Sequence, residues 1–274
     1  MKFGDFEIHR VSDGVGWFDG GAIFGVVPKP LWSRVAMADD RNRVAIGLDS
    51  MLVRDGSCNI LVDAGMGWEW PPKTREIYGL SNDVNLIDSL AALGLSPQDI
   101  DVVVLTHLHI DHCGWCVSEG KPVFAKARHV VQRQEWQDAT NPHPSRAGSY
   151  LPHQFMALEE HGVLELVEGD VEIVSGVHAR QIAGHTLGYQ TVVVESGGET
   201  LYFLGETIPT RHHMKPMYLM AYDLYPVDVV ECKVDLVARG IEEEWLFFFQ
   251  HDPEITFARF DADGDGAIAV SVDG

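Results

Sequence analysis

The run Thr106-His107-Leu108-His109-Ile110-Asp111-His112 constrains this chain more than any other feature. It places three imidazoles and one carboxylate within six residues, directly after the Val-rich segment 101–105. A short run of β-branched residues bounded by polar ones reads as a strand. The cluster therefore sits at a strand end, where a rigid element holds a loop whose side chains stay open to solvent and ions. Imidazole nitrogens with one hard oxygen suit zinc first, and also iron, manganese or cobalt. A lone His is more often structural than a ligand, but clustered His residues at a strand end shift that balance to metal.

One cluster does not complete a site. Three further strand-like segments end in the same way. Segment 177–182 runs into Gly184-His185-Thr186, segment 201–204 into Gly205-Glu206, and segment 246–249 into Gln250-His251. Together these supply five His, one Asp and one Glu. That inventory fits two divalent ions better than one.

The sequence resembles the metallo-β-lactamase superfamily. The resemblance is carried by His107-x-His109-x-Asp111-His112, by Gly184-His185-Thr186-x-Gly188, by the carboxylate after Gly205, by His251, and by Leu61-Val62-Asp63-Ala64-Gly65. It implies an α+β fold, a four-layer αββα sandwich of two mixed β-sheets flanked by helices, with the metals along one edge. It implies His107, His109 and His185 on a first metal, and Asp111, His112 and His251 on a second. Asp63 would hold a ligand imidazole in the right tautomer. Glu206 stands where binuclear members usually carry a bridging Asp. One extra methylene lengthens the side chain by about 1.5 Å. It leaves three outcomes open: a bridge, a bond to one metal, or a side chain turned away.

The chemistry implied is hydrolysis of a small ester, lactone or phosphotriester by a metal-bridging hydroxide, with Asp111, His112 and Glu206 as the catalytic set. Two other readings remain: a redox-metal oxidoreductase on the same fold, and a binding module impaired at Glu206. Flavodiiron members carry Glu where this chain has His109. Lactonases acting on acyl-homoserine lactones, organophosphate hydrolases and glyoxalase-II-like thioesterases remain as branches. The lactonases commonly place a Tyr shortly after the bridging Asp. Here Thr207-Ile208-Pro209-Thr210 follows Glu206, and Tyr218, Tyr222, Tyr225, His212 and His213 are the nearby substitutes.

Charge narrows the partners. There are 41 acidic against 20 basic residues, a net charge of −21. Nucleic acid and anionic membranes both need basic surface, so the expected partner is a small-molecule substrate, with no nucleic acid and no membrane. The resemblance and the aromatic segment suggest a homo-oligomer. Four cysteines are too few for a disulfide framework, and the first residues do not resemble an export signal, so a cytoplasmic location is expected. Cys113-Gly114-Trp115-Cys116 lacks a second pair and reads as loop beside the site, with Trp115, Trp68 and Trp70 as pocket walls.

The whole of 1–274 reads as one domain. Further strands are expected over 6–11, 44–54, 59–62, 164–167 and 191–195, and helices over 82–93, 128–139, 153–160 and 227–239. The last would turn Val230, Val234 and Val237 inward. Residues 14–38 read as a long aromatic loop. Residues 255–274 read as a hairpin whose Asp261–Gly266 turn only superficially resembles a calcium loop, because Val272 stands where that loop needs Glu.

Overall fold

Side chains alternate across a strand, so a strand buried on both faces feeds two different cores. Val102–Val104 is such a strand. Val102 and Val104 join Val192, Val194, Leu201 and Phe203 in one apolar cluster, while Val103 joins Leu86, Leu90 and Trp136 in another. The same split recurs across the molecule: Leu246 and Phe248 face the first cluster, whereas Phe247 packs with Leu236, Trp245 and Phe260. Burying one such side chain contributes about 1.5–3 kcal/mol, which rewards unbroken apolar runs here.

The computed structural model describes residues 1–81, 83–264 and 266–272. Its two large sheets hold seven strands each among the described residues. The first runs Lys2–Phe3, Phe6–Asp19, Arg43–Arg54, Asn59–Val62, Val102–Val104, Arg128–Gln132 and Leu164–Val167, in that order. The second runs Val171–Val174, Val177–Gln181, Gln190–Ser196, Glu199–Phe203, Leu246–Phe248, Phe257–Asp263 and Gly266–Ser271. Both are mixed. Asn59–Val62 pairs in parallel with Val102–Val104, and Glu199–Phe203 with Leu246–Phe248. The helices Leu86–Ala92, Arg133–Thr140 and Met156–Glu160 cover the first sheet, and Pro226–Glu242 covers the second. This is the expected αββα sandwich of the metallo-β-lactamase type. Among the described residues no helix is long and apolar enough to cross a membrane.

Several local expectations change. Residues 128–139 are not one helix: Arg128–Gln132 is a strand, because Val130 and Val131 feed the two opposite cores, and the helix begins at Arg133. Residues 14–19 extend the first long strand instead of opening a loop, and the helices Gly20–Phe24 and Lys29–Trp32 follow. In Pro226–Glu242 the buried face is Val229, Lys233, Leu236 and Gly240, and Val234 is 50% exposed. Phe247 packs so closely on Gly240 that a Cβ there would collide with its ring, and this contact sets the helix rotation. The helix expected over 82–93 covers Leu86–Ala92; its expected first residue, Asn82, lies outside the described residues. Phe257–Asp263 and Gly266–Ser271 form the expected antiparallel hairpin, while Asp265 and residues 273–274 also lie outside the described residues.

Candidate metal centre

Strand direction brings the candidate ligands together. Parallel pairing puts the C-terminal ends of Asn59–Val62 and Val102–Val104 side by side, and those of Glu199–Phe203 and Leu246–Phe248 likewise. Asp63, the His cluster, Glu206 and His251 follow these ends. Val177–Gln181 runs the same way as Glu199–Phe203, two antiparallel steps distant, and delivers His185 to the same edge.

All seven expected ligand side chains gather there, in two groups. His107, His109 and His185 form one, and Asp111, His112, Glu206 and His251 the other, with ligand-type atoms in each group within 4.8 Å of one another. The chemistry of the contacts fits ions. His109 Nδ1 and His185 Nε2 face each other at 3.1 Å. His107 Nε2, His109 Nε2 and Glu206 Oε2 are buried and lack a hydrogen-bond partner among the described residues. Buried polar atoms are otherwise paired, and convergent orphans mark a place for a ligand. Glu206 does not turn away. Its Oε1 lies 3.0 Å from His112 Nε2 and 3.3 Å from His251 Nε2, within the second group.

A surrounding set of groups fixes the imidazoles. His112 Nδ1 lies 2.8 Å from Asp63 Oδ2, which also accepts from the Thr106 hydroxyl and from Gln250 Nε2, each at 2.9 Å. The other Asp63 oxygen accepts the Thr106 N–H at 2.7 Å. Asp63 holds a left-handed backbone, φ 60°, the kind of strain that surrounding bonds sustain at functional sites. His185 Nδ1 lies 3.0 Å from Asp223 Oδ1, and His251 Nδ1 2.8 Å from the Gly47 carbonyl. Such partners select the tautomer that leaves the other nitrogen free for a metal. The Glu206 N–H donates to the Tyr189 hydroxyl at 2.9 Å.

Electrostatics divides the imidazoles: burial opposes charge on His185, but the Glu206 and Asp223 carboxylates outweigh it and raise its pKa, unlike its two partners in the first group. Burial, and then the neighbouring His112, His109 and His185, hold His107 well below the ordinary range, so it is neutral. Burial and His185 do the same for His109. For His112, burial opposes the charge, but the Asp111 and Asp63 carboxylates outweigh it and raise the pKa. Burial would push Glu206 up, yet His251 and His185 hold it well below the carboxylate range. By composition the first group is all imidazole and the second holds two carboxylates.

Of the phenols and imidazoles that follow Glu206, Tyr222 lines the cleft over the metal groups, a space of about 20 Å³ shared with Asp111, Glu206 and His251. Burial, then Tyr78 and Asp111, push its phenol up, so it keeps its proton. The rest are occupied elsewhere. His213 bonds Thr210 and the Ile23 carbonyl, Tyr218 packs on Phe24, Tyr225 precedes the Pro226–Glu242 helix, and His212 lines an apolar cavity of about 200 Å³. That cavity shares Ile23, Ile46 and Thr210 with the cleft. Trp115 is not a cleft wall: it is buried in the helix-side core and its indole N–H donates to Asp13 at 2.7 Å. Cys113 and Cys116 are free and fully buried, and burial raises both thiols.

Sequence reading missed Asp223, Glu135 and Gln250. Gln250 sits beside His251, and adjacency was the one signal available. Asp223 and Glu135 belong to no motif and lie 38 and 50 residues from His185 along the chain.

A family profile described as the Metallo-beta-lactamase superfamily matches residues 47–251. An N-acyl homoserine lactonase of Bacillus thuringiensis is 27% identical over 211 residues, covering 71% of this chain and 77% of that one. A probable metal-dependent hydrolase from Staphylococcus aureus superposes with a TM-score of 0.91 at 32% identity, covering 100% of this chain and 99% of that one. The dizinc quorum-quenching lactonase AidC shares the fold, with a TM-score of 0.81 at 19% identity over 100% of this chain and 97% of its own.

Proposed function

The chain belongs to the Metallo-beta-lactamase superfamily and is a metal-dependent hydrolase, and from that premise we propose that it opens a small lactone or ester over a dizinc centre. The observation that carries this is the convergence of buried ligand atoms without a hydrogen-bond partner among the described residues, His107 Nε2, His109 Nε2 and Glu206 Oε2, beneath one cleft. His107, His109 and His185 would hold one ion, and Asp111, His112 and His251 the other, with Glu206 on the second and directed between His112 and His251. The His-rich donor set favours zinc, with iron, manganese or cobalt as the other candidates.

Two bound ions supply a water of lowered pKa and a polarised carbonyl. The protein's own residues do the rest. Asp111, the least buried of the second group, faces the cleft and orients the attacking water. Tyr222 keeps its proton and donates it to the departing oxygen. Asp63 and Asp223 hold His112 and His185 in register, so reorganisation during the reaction is small. The apolar walls Phe18, Ile23 and Ile46 exclude bulk water and suit a neutral, fairly apolar substrate. The lactonase relative supports a lactone as the first substrate class to test.

The test is metal content by elemental analysis on protein purified without a metal-affinity tag, followed by a panel of lactones, aryl esters and phosphotriesters. About two zinc equivalents per chain are expected. Lactone or ester turnover should vanish on chelation and return with zinc. One equivalent or less, or no turnover of the panel by metal-saturated protein, would overturn the proposal.

A further inference from the structure

We propose that Glu135 is a positioning residue for the first metal group: its buried carboxylate fixes the His107–His109 segment against His185 and adds, beside Asp223, negative charge behind a group built of imidazoles. The inference rests on the metal-centre reading above and adds to it a residue outside every metal motif.

Glu135 lies in the first turn of the helix Arg133–Thr140 and is fully buried. Its Oε1 accepts the backbone N–H of Leu108, between His107 and His109, at 3.0 Å. Its Oε2 accepts the hydroxyl of Thr186, next to His185, at 2.6 Å. The Tyr150 phenol bonds the same carboxylate, and the Tyr150 ring lies 4.8 Å from the His109 ring. Each of the three partners therefore abuts one member of the first group. Gly188 completes the docking: a Cβ there would strike the Glu135 backbone, so the loop carrying His185 lies flush on the helix start.

Charge points the same way. Burying a carboxylate costs several kcal/mol unless a positive charge lies nearby. Among the described residues Glu135 makes no ion pair with Lys or Arg, and its partners are a backbone amide and two hydroxyls. Asp223 places one carboxylate behind His185, and among the described residues no carboxylate bonds His107 or His109. A buried anion without a cation and a divalent ion held on imidazoles alone are each costly. Together they account for one another.

The experiment compares wild type with Glu135→Gln, both loaded with zinc and, separately, with cobalt. Stepwise chelator competition is read as metal per chain, beside the visible spectrum of the cobalt form and the thermal midpoint. Glu135→Gln is expected to release one of its two ions at a chelator concentration that leaves wild type fully loaded. Affinity for that ion should fall about 10–100-fold, as for other groups behind metal ligands. The cobalt spectrum should change with the released ion. Retention of both ions with an unchanged spectrum would overturn the proposal, and so would simultaneous loss of both with a lowered midpoint in the saturated protein. If Glu135→Gln does not fold, Thr186→Val removes one arm of the strut: selective release of one ion supports the proposal, and retention of both overturns it. A wild type that holds fewer than two ions overturns the binuclear reading and this inference with it. A wild type with two ions and an indifferent variant overturns this inference alone.

Discussion

His185 Nδ1 and Asp223 Oδ1 lie 3.0 Å apart, and both side chains are almost wholly buried. The other Asp223 oxygen accepts the Met220 N–H at 2.9 Å, so one carboxylate orients a metal-facing imidazole and closes the turn that presents Tyr222. Asp223→Ala should weaken binding of the first ion about 10–100-fold. Chelator competition measures it, and wild-type affinity in the variant would show that His185 needs no orienting partner.

Glu206 Oε1 reaches His112 Nε2 at 3.0 Å with a side chain one methylene longer than Asp. Glu206→Asp withdraws the carboxylate by about 1.5 Å. Turnover and content of the second ion should both fall. A strong rise in turnover from near zero would instead mark the natural chain as impaired, the reading that Glu206's place among the ligands argues against.

Tyr222→Phe removes the one phenol of the 218–225 segment that lines the metal cleft. Loss of a general acid typically costs about 10²–10⁴-fold in kcat. The effect should shrink on aryl esters whose leaving groups need no proton, and metal content should stay at the wild-type value. An equal effect on good and poor leaving groups would remove Tyr222 from proton transfer.

Gly205 has φ 45°, and a Cβ there would collide with the Tyr189 hydroxyl that accepts the Glu206 N–H. Gly205→Ala should lower stability by at least about 1–2 kcal/mol from the left-handed backbone alone. The urea midpoint reads the loss, and an unchanged midpoint would mean that the turn relaxes freely.

His129 is buried in the Arg128–Gln132 strand. Burial lowers its pKa from 6.5 to about 4. The folded state therefore keeps it neutral while the unfolded chain takes up a proton, so its contribution is present above pH 6.5 and is lost as pH falls toward 4. The loss is on the order of 3 kcal/mol across that window. His129→Leu should flatten this part of the stability profile, measured by urea unfolding at pH 7 and pH 5. An unaltered difference between the two would assign the acid sensitivity elsewhere.

Much of the fold and site was legible along the chain. Val102–Val104 is apolar on both faces, and the His cluster follows it with ligand spacing, because metal chemistry and strand burial each act on neighbouring residues. Residues 128–139 were misread because a two-faced strand flowing directly into a helix leaves no punctuation. The inward face of Pro226–Glu242 was misread because the Phe247 ring, in the strand that follows, packs on Gly240 and decides the helix rotation.

The sequence by itself determined the ligand types, their grouping after strand ends and the family. Tertiary structure decided which oxygens stand behind which imidazoles: Asp223 behind His185, Glu135 behind Leu108 and Thr186, Tyr222 over the cleft. The hydrogen-bonded pairings span 27 to 51 residues of chain and arise from segments without a motif. A buried hydrogen bond depends on a few tenths of an ångström between elements, a quantity set by how helices and sheets pack and by no local pattern of residues.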